Sequence, residues 1–509
     1  MLLGTGPVVA DQDHDDSEQV VLTILHVCDL HGRIYFPDEP QGLAKLGTLV
    51  HEVREQMPYT LLTDGGDVIN GSPEQYMFGG LPIADAMNAL EFDITVLGNH
   101  EFDFGQETLK RFIDQLEFPM LGTNFVDEET GEAWYDMEDV VWFERGGVKI
   151  AAFGLNTHFT AVYQYPRTLE GIEILEHVET ARKMVEKLRD EADVVLLVSH
   201  MGHRFDQEIA EAVSGIDAIL GGHTHRTIQE PWYVNDTLIL HPGPHAFHLG
   251  RVDMLVKPGE GVVSINGRDE QWWGHGGVDK PTGWEDYSFP DHQLIAVTED
   301  TADDPAVVAA YETYVERARP TLDEALTTAT SPITGEGAPD RETPLGNLLA
   351  DAVRAWADAD VGLFHSTQFR AAGLEAGPVL TRDLYRIMGA YTRQHMIVVR
   401  TPGRNLRTMV EQAFDGESFP LHLSGMEVHD DDIRVGGTAL DDGQMYTVVA
   451  AAHVIQDYVL DKEGVEIVDD DPENPVVRDA AIEFLRGHAP LTGELQPRVQ
   501  MEAYLSSAD

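Results

Sequence analysis

Six times between Val20 and Gly243 the chain runs an apolar segment, mostly β-branched, into a polar or glycine-rich cluster. Val20 to Val27 leads into Cys28-Asp29-Leu30-His31-Gly32, Tyr59 to Thr63 into Asp64-Gly65-Gly66-Asp67, and Phe92 to Leu97 into Gly98-Asn99-His100-Glu101-Phe102-Asp103. Val194 to Ser199 leads into His200-Met201-Gly202-His203, Ile216 to Leu220 into Gly221-Gly222-His223-Thr224-His225, and Thr237 to Leu240 into His241-Pro242-Gly243. Helical spacing fills several of the gaps, at Leu43 to Glu55, Pro82 to Leu90, Glu107 to Leu116 and Thr180 to Glu191. Short apolar runs alternating with amphipathic helices predict a layered α/β domain. In such sheets ligands gather beyond the carboxyl ends of the strands, so polar clusters far apart in sequence can converge.

The remaining chain divides by texture. Trp142 to Phe153 reads as a hairpin turning at Arg145-Gly146-Gly147. Pro258 to Gln293, rich in Gly, Trp and Asp without a sustained period, reads as a surface excursion. Asp304 to Ala318 has helical spacing that could bridge two units. A second unit begins near Ser331, where Thr343-Pro344 opens a helix through Trp356 and strands are expected at Val361 to Phe364, Met396 to Val399 and Tyr446 to Ala450. The expected plan is a tail over 1–19, a catalytic domain over 20–295, a linker with a bridging helix over 296–330 and a substrate domain over 331–509. A chain of 509 residues exceeds what one core usually organises, which agrees with two domains.

Charge narrows the partners. With 89 acidic against 34 basic residues the formal charge is -55, so nucleic acid, which is held by cationic contacts to phosphate, is not an expected partner. The acidity runs along the whole chain, and arginine outnumbers lysine. Such a surface repels itself in dilute buffer and is relieved in molar salt, where the screening length falls to about 3 Å; a halophilic source is expected. The single cysteine, Cys28, excludes an intrachain disulfide. No apolar run reaches the roughly 20 residues of a membrane span. The opening MLLGTGPVVA has no basic flank and is followed by the acidic run Asp11 to Asp16, so it reads as a tail in preference to a secretory signal.

The clusters supply Asp29, His31, Asp67, Asn99, His200, His223 and His225. Carboxylate, imidazole and amide oxygen form a mixed N/O set for divalent transition metals. Alternate residues at a strand end point the same way, which lets Asp-x-His and His-x-His each address one ion. Any one block is an ordinary polar turn; five in order, each behind a strand, point to a site. Seven ligands exceed the needs of one ion and suit two that share a carboxylate. Two ions roughly 3.5 to 4 Å apart clamp a phosphate and generate hydroxide for in-line attack.

These blocks resemble the two-domain 5'-nucleotidases of the calcineurin-like metallophosphoesterase superfamily: His26 to Gly32, Gly66-Asp67 with Gly71-Ser72-Pro73, Gly98 to Gly105, Ser199 to Gly202 and Gly222 to His225. The resemblance implies a four-layer α/β/β/α metallophosphoesterase domain followed by a smaller α/β substrate-binding domain. It implies that Asp29, His31 and His225 hold one metal, that Asn99, His200 and His223 hold the other, and that Asp67 bridges. It also makes His100 and Asp103 the catalytic pair, although Asp103 could instead cap a helix. The cofactors implied are two divalent ions, with Zn, Mn, Fe and Co all admitted by the donors. Cys28 stands where the family carries asparagine and reads as a packing residue. His26, His203, His241, His245 and His248 read as supporting imidazoles.

Thr343 to Ala352 also resembles the helix opening of the family's C-terminal domain, which binds the nucleoside. There the family's aromatic base clamp is altered. Asn99, Arg370, Tyr391 and Phe419 are the substrate-binding candidates, although an aromatic at a strand end, as the last two are, is more often core. The implied partner is a small phosphoester, most directly a nucleoside monophosphate. Cyclic nucleotides, nucleotide sugars, other phosphomonoesters, a thiosulfate-ester hydrolase and a metal-stabilised binding protein are the alternatives. Oligomeric state is open; the weak leader favours the cytoplasm, and family grounds admit the extracellular space.

Overall fold

The computed structural model describes residues 19–35, 41–69, 71–164, 166–230, 232–338, 340–368, 373–388, 395–414, 419–430, 432–472 and 474–501. Two large sheets form the frame of the first domain, with a small pair, Phe125–Asp127 and Ile172–Ile174, beside them. One runs in the order Gly261–Ile265, His248–Lys257, Val20–Val27, Thr60–Asp64, Ile94–Val96, Met120–Leu121, with Leu294–Ala296 also paired to His248–Lys257. The other runs Trp232–Val234, Thr237–Leu240, Ala218–Gly221, Val194–His200, Val148–Asn156, Val140–Arg145. Their central strands are parallel, and hairpins close the edges of the second sheet.

Why the strands read as unbroken apolar runs is visible in their alternation. In Val20–Val27, Leu22 and Ile24 face the other sheet while Val21, Leu25 and Val27 face a helical layer. In Val194–His200, Leu196 and Val198 meet the first sheet while Val195 and Leu197 lie under helices His177–Leu188 and His203–Ala212. Both faces of each sheet are therefore covered, and each large side chain so buried contributes about 1.5–3 kcal/mol. The layers stack helix, sheet, sheet, helix, as the resemblance implied.

Two segments depart from the sequence expectations, and the helix expected between them forms. Pro258 to Gln293 is a packed flap in place of a surface excursion: Gly261–Ile265 extends the first sheet, and Trp273, Trp284 and Phe289 are buried in its core. Large aromatics without a period gave no strand or helix signal, yet they bury area all the same. The helix Pro305–Leu322, capped by the Asp304 carboxylate, packs on the first domain through Val307 and Tyr311, and the Tyr311 hydroxyl donates to Glu74 at 2.9 Å. Within the segment assigned to the linker, Ala325–Ala329 already pairs with Gly377–Leu380 of the second unit.

That second unit is built on a five-stranded sheet in the order Leu421–Ser424, Val361–His365, Met445–Ala451, Met396–Pro402, Glu466–Asp469. The helix Pro344–Ala357 covers it, started by Thr343, whose hydroxyl accepts from the Gly346 amide. Polar and aromatic contacts among the described residues join the units. Arg167 pairs with Asp470 at 2.7 Å, and the buried Arg478 guanidinium lies between Tyr76 of the first unit and Tyr385 of the second, 4.4 and 4.0 Å from their ring centroids. The expected tail over 1–19 falls almost wholly outside the described residues, and no helix among those described is long and apolar enough to cross a membrane.

Candidate metal centre

Each predicted ligand lies just past, or at, the carboxyl end of a parallel strand: Asp29 and His31 after Val20–Val27, Asp67 after Thr60–Asp64, Asn99 after Ile94–Val96, His200 at the end of Val194–His200, His223 and His225 after Ala218–Gly221. Their backbone is unusual. Asp29, His31, Asp67, His223 and His225 all have positive φ, between 45° and 76°. Left-handed backbone is costly outside glycine and collects where a site over-determines it. Glycines make the close approaches possible. Gly66 itself turns at φ 85°, and a Cβ on Gly98 would stand 2.3 Å from Oδ1 of Asp67.

Three groups of convergent donors result. Asp29, His31 and Asp67 place ligand atoms within 4.8 Å of one another, and so do Asp67, His200 and His223, so Asp67 is common to both. The third group is His31, His225 and His245. Nε2 of His200 faces both Asp67 Oδ2 at 3.1 Å and Asn99 Oδ1 at 3.2 Å, while its Nδ1 donates to the Gly65 carbonyl at 2.6 Å. A ring anchored through Nδ1 presents Nε2 to the site in a fixed orientation. Oδ1 of Asp29 accepts from the His223 amide at 3.0 Å and lies 3.6 Å from His225 Nε2.

The electrostatics are those of a site built around positive charge. Burial raises the Asp67 carboxyl, but the His200 and His100 imidazoles overcome it and hold the group well below the usual carboxylate range. Burial likewise lowers His200, and the Asp67 carboxylate reverses this, pushing the imidazole up to about 10. Asp29 is raised, by burial first and by Asp67 as well. His223 falls to about 3 through burial and the neighbouring His200, and His245 to about 4 through burial and Arg33. Oδ2 of Asp29 is buried without a hydrogen-bond partner. An unsatisfied buried carboxylate oxygen beside imidazoles is costly unless a cation completes it, and the donor set suits divalent transition metals.

His100 opens a short helical turn, His100–Phe104, directly beside Asp67. Its amide donates to Asp67 Oδ1 at 2.8 Å, its Nε2 is 3.9 Å from Asp67 Oδ2, and its Nδ1 pairs with Asp103 Oδ2 at 3.0 Å. Asp103 caps no helix through its side chain, since the helix Gln106–Gln115 starts at Gly105. Two supporting groups were missed in the sequence. The buried Glu101 carboxylate accepts from the amides of Gly98 at 2.7 Å, Asp67 at 3.1 Å and Val68 at 2.8 Å. The Gln164 amide donates to Asp103 Oδ1 and to the Asn99 carbonyl, both at 3.0 Å. Nothing local marks Gln164, which reaches the site across more than sixty positions.

Residues 22–227 match the calcineurin-like phosphoesterase family, and residues 324–458 match the 5'-nucleotidase C-terminal domain. The chain joins a calcineurin-like phosphoesterase domain to a 5'-nucleotidase C-terminal domain. A 5'-nucleotidase of Vibrio vulnificus is 26% identical over 410 residues, covering 72% of this chain and 71% of its own. The phosphoesterase superposes on a putative 5'-nucleotidase from Staphylococcus aureus solved with alpha-ketoglutarate, at TM-score 0.70 and 20% identity over 94% of this chain and 99% of that one. It also superposes on the sulfate thiohydrolase SoxB of Thermus thermophilus, at TM-score 0.60 and 19% identity over 94% and 96% of the two chains. These structural likenesses share the two-domain fold. The phosphoesterase is a metal-dependent hydrolase.

The remaining sequence candidates fall differently. Cys28 is buried, its thiol donates to the Gly243 carbonyl at 3.5 Å, and burial, with Asp29, pushes it well above the usual thiol range, which suits the packing role. His26 contacts Thr63, and His203 contacts Thr224. His241 Nε2 donates to Asp206 at 2.7 Å, away from the ligand groups. Arg370 and Tyr391 lie outside the described residues. Phe419 is only 2% exposed and packs against Phe414 and His422 in the second core, so it presents no open face for a base to stack on. Its apolar ring behind Leu421–Ser424 is better satisfied by that core than by solvent.

Proposed function

We propose that the centre takes two divalent ions, one on Asp29, His31 and His225, the other on Asn99, His200 and His223, with Asp67 between them, and that the enzyme is a 5'-nucleotidase releasing phosphate from nucleoside monophosphates. The observation that carries this reading is the pair of ligand groups overlapping at Asp67, with the His100–Asp103 pair set against the same carboxylate. Ions bound there would polarise a phosphoryl oxygen and make water acidic enough to attack phosphorus. The protein's own groups then have separate tasks. Asp103 and Gln164 hold the His100 ring, so Nε2 faces the phosphoryl position and hands a proton to the departing ribose oxygen as its bond to phosphorus breaks. Asn99 fixes one edge of the pocket, its carbonyl held by Gln164. The nucleotide assignment is supported by the 5'-nucleotidase relatives and the C-terminal domain match.

Phosphate release in molar KCl with added Mn²⁺, Zn²⁺ or Co²⁺ tests the reading. Wild type should hydrolyse nucleoside monophosphates, and His100→Ala should lose about 10²- to 10⁴-fold in kcat while still binding metal. Equal, metal-independent rates for the two proteins would sink the catalytic assignment. Turnover of aryl phosphates with none of nucleotides would remove the nucleotidase assignment alone.

A further inference from the structure

We propose that His245 is a metal ligand in its own right, placing three imidazoles, His31, His225 and His245, on the ion assigned to Asp29 and His31. The inference rests on the metal centre proposed above and adds a ligand from a sixth loop. Its first support is geometric. Ligand nitrogens of the three histidines lie within 4.8 Å of one another, and His31 Nε2 stands 2.9 Å from His225 Nε2. Nitrogens bound to one zinc at roughly 2.1 Å can be at most about 4.2 Å apart, so small ring rotations satisfy one shared ion. The three rings crowd one another, with centroids 4.9 to 5.6 Å apart and planes steeply inclined, so none is stacked flat on another.

The loop that carries His245 supplies a second, independent support. His245 and Ala246 are consecutive non-glycine residues in the left-handed region, at φ 61° and 56°. The five strand-end ligands with positive φ share this backbone, whereas the supporting histidines His26, His203, His241 and His248 do not. The strained turn is fastened to the ligand loops: the His245 amide donates to the Asp29 carbonyl at 2.9 Å, and Cys28 donates to the Gly243 carbonyl. Backbone held at this cost beside a ligand loop aims a side chain for a purpose. A third imidazole also changes what the site prefers. Nitrogen donors shift affinity toward zinc, nickel and copper and away from manganese and magnesium.

The experiment compares apo wild type with His245→Gln and His245→Phe by equilibrium dialysis against Zn²⁺ and Co²⁺, with metal counted by elemental analysis and Co²⁺ coordination followed by absorption. Wild type should take two equivalents. Both variants should bind one of the two at least about 10-fold more weakly, with a changed Co²⁺ spectrum, the other ion being unaffected. Unchanged affinities and spectra overturn the inference, as does loss of a third equivalent with the first two intact. Anomalous scattering from zinc-loaded wild-type crystals needs no variant: a His245 ring nitrogen at roughly 2.1 Å from an ion supports ligation, and one beyond contact refutes it. A wild type that binds no metal would instead defeat the underlying centre.

Discussion

Glu101 shows how much of the site is held by a residue that touches no substrate. Its two oxygens accept amide hydrogens from Gly98, Asp67 and Val68, tying the loop that carries Asn99 and His100 to the loop that carries Asp67. Burial, with Asp67 nearby, raises its carboxyl. Glu101→Gln keeps the shape but turns an amide NH₂ toward backbone donors. We expect it to cost about 1–3 kcal/mol of stability and to lower metal occupancy while leaving the His100–Asp103 pair in place. Thermal melts together with metal analysis check this; a variant with unchanged melting and full occupancy would show that the loops hold without it. Glu101 stands in plain view inside the Asn99-to-Asp103 stretch, yet its role was not legible there. A side chain that accepts from backbone amides leaves no signature in residue type, because every partner offers the same N–H.

At the scale of elements, the strand-end ligands were readable because apolar runs of the right length must end somewhere, and alternation decides which side chains leave on the same side. The helices were readable from their 3.6-residue spacing, and Thr343-Pro344 from capping chemistry. What escaped was set by tertiary context: the buried tryptophans of the flap, the early strand Ala325–Ala329, and the Gln164 contact. One element makes a pH prediction. His422 lies buried against the start of helix Pro344–Ala357, where its Nε2 accepts from the Thr343 amide at 3.1 Å. Burial, with Arg498 and His365 adding, lowers its pKa from 6.5 to about 3. Between those values the unfolded chain binds a proton that the folded one refuses, so stability falls as pH drops from 6.5 toward 3 and is unaffected by this group above 6.5. At about pH 4.5 wild type should have lost on the order of 2 kcal/mol relative to His422→Gln, compared with their difference at about pH 7.5. Parallel urea titration curves for the two proteins at both pH values would contradict this.

At the scale of the whole molecule the dominant fact is a charge of -55. Counter-charges among the described residues pair locally, as in Arg189 with Asp217 and Arg145 with Asp93, but leave most of the acidity facing water. Screening shortens from about 10 Å at 0.1 M salt to about 3 Å at 1 M, so the metal-loaded protein should melt several degrees higher in about 2 M KCl than in about 0.1 M. For domains of this size roughly 2–4 °C corresponds to about 1 kcal/mol. A melting temperature flat or falling across that range would remove the halophile reading.

Arg478 gives this charge pattern a mechanical meaning. Salt that weakens the surface pair Arg167 and Asp470 has little purchase on a guanidinium enclosed by Tyr76 and Tyr385. Dissolved ions therefore weigh unequally on the contacts between the halves, and in brine the joint leans on a guanidinium sheltered between two rings more than on the pair at the surface.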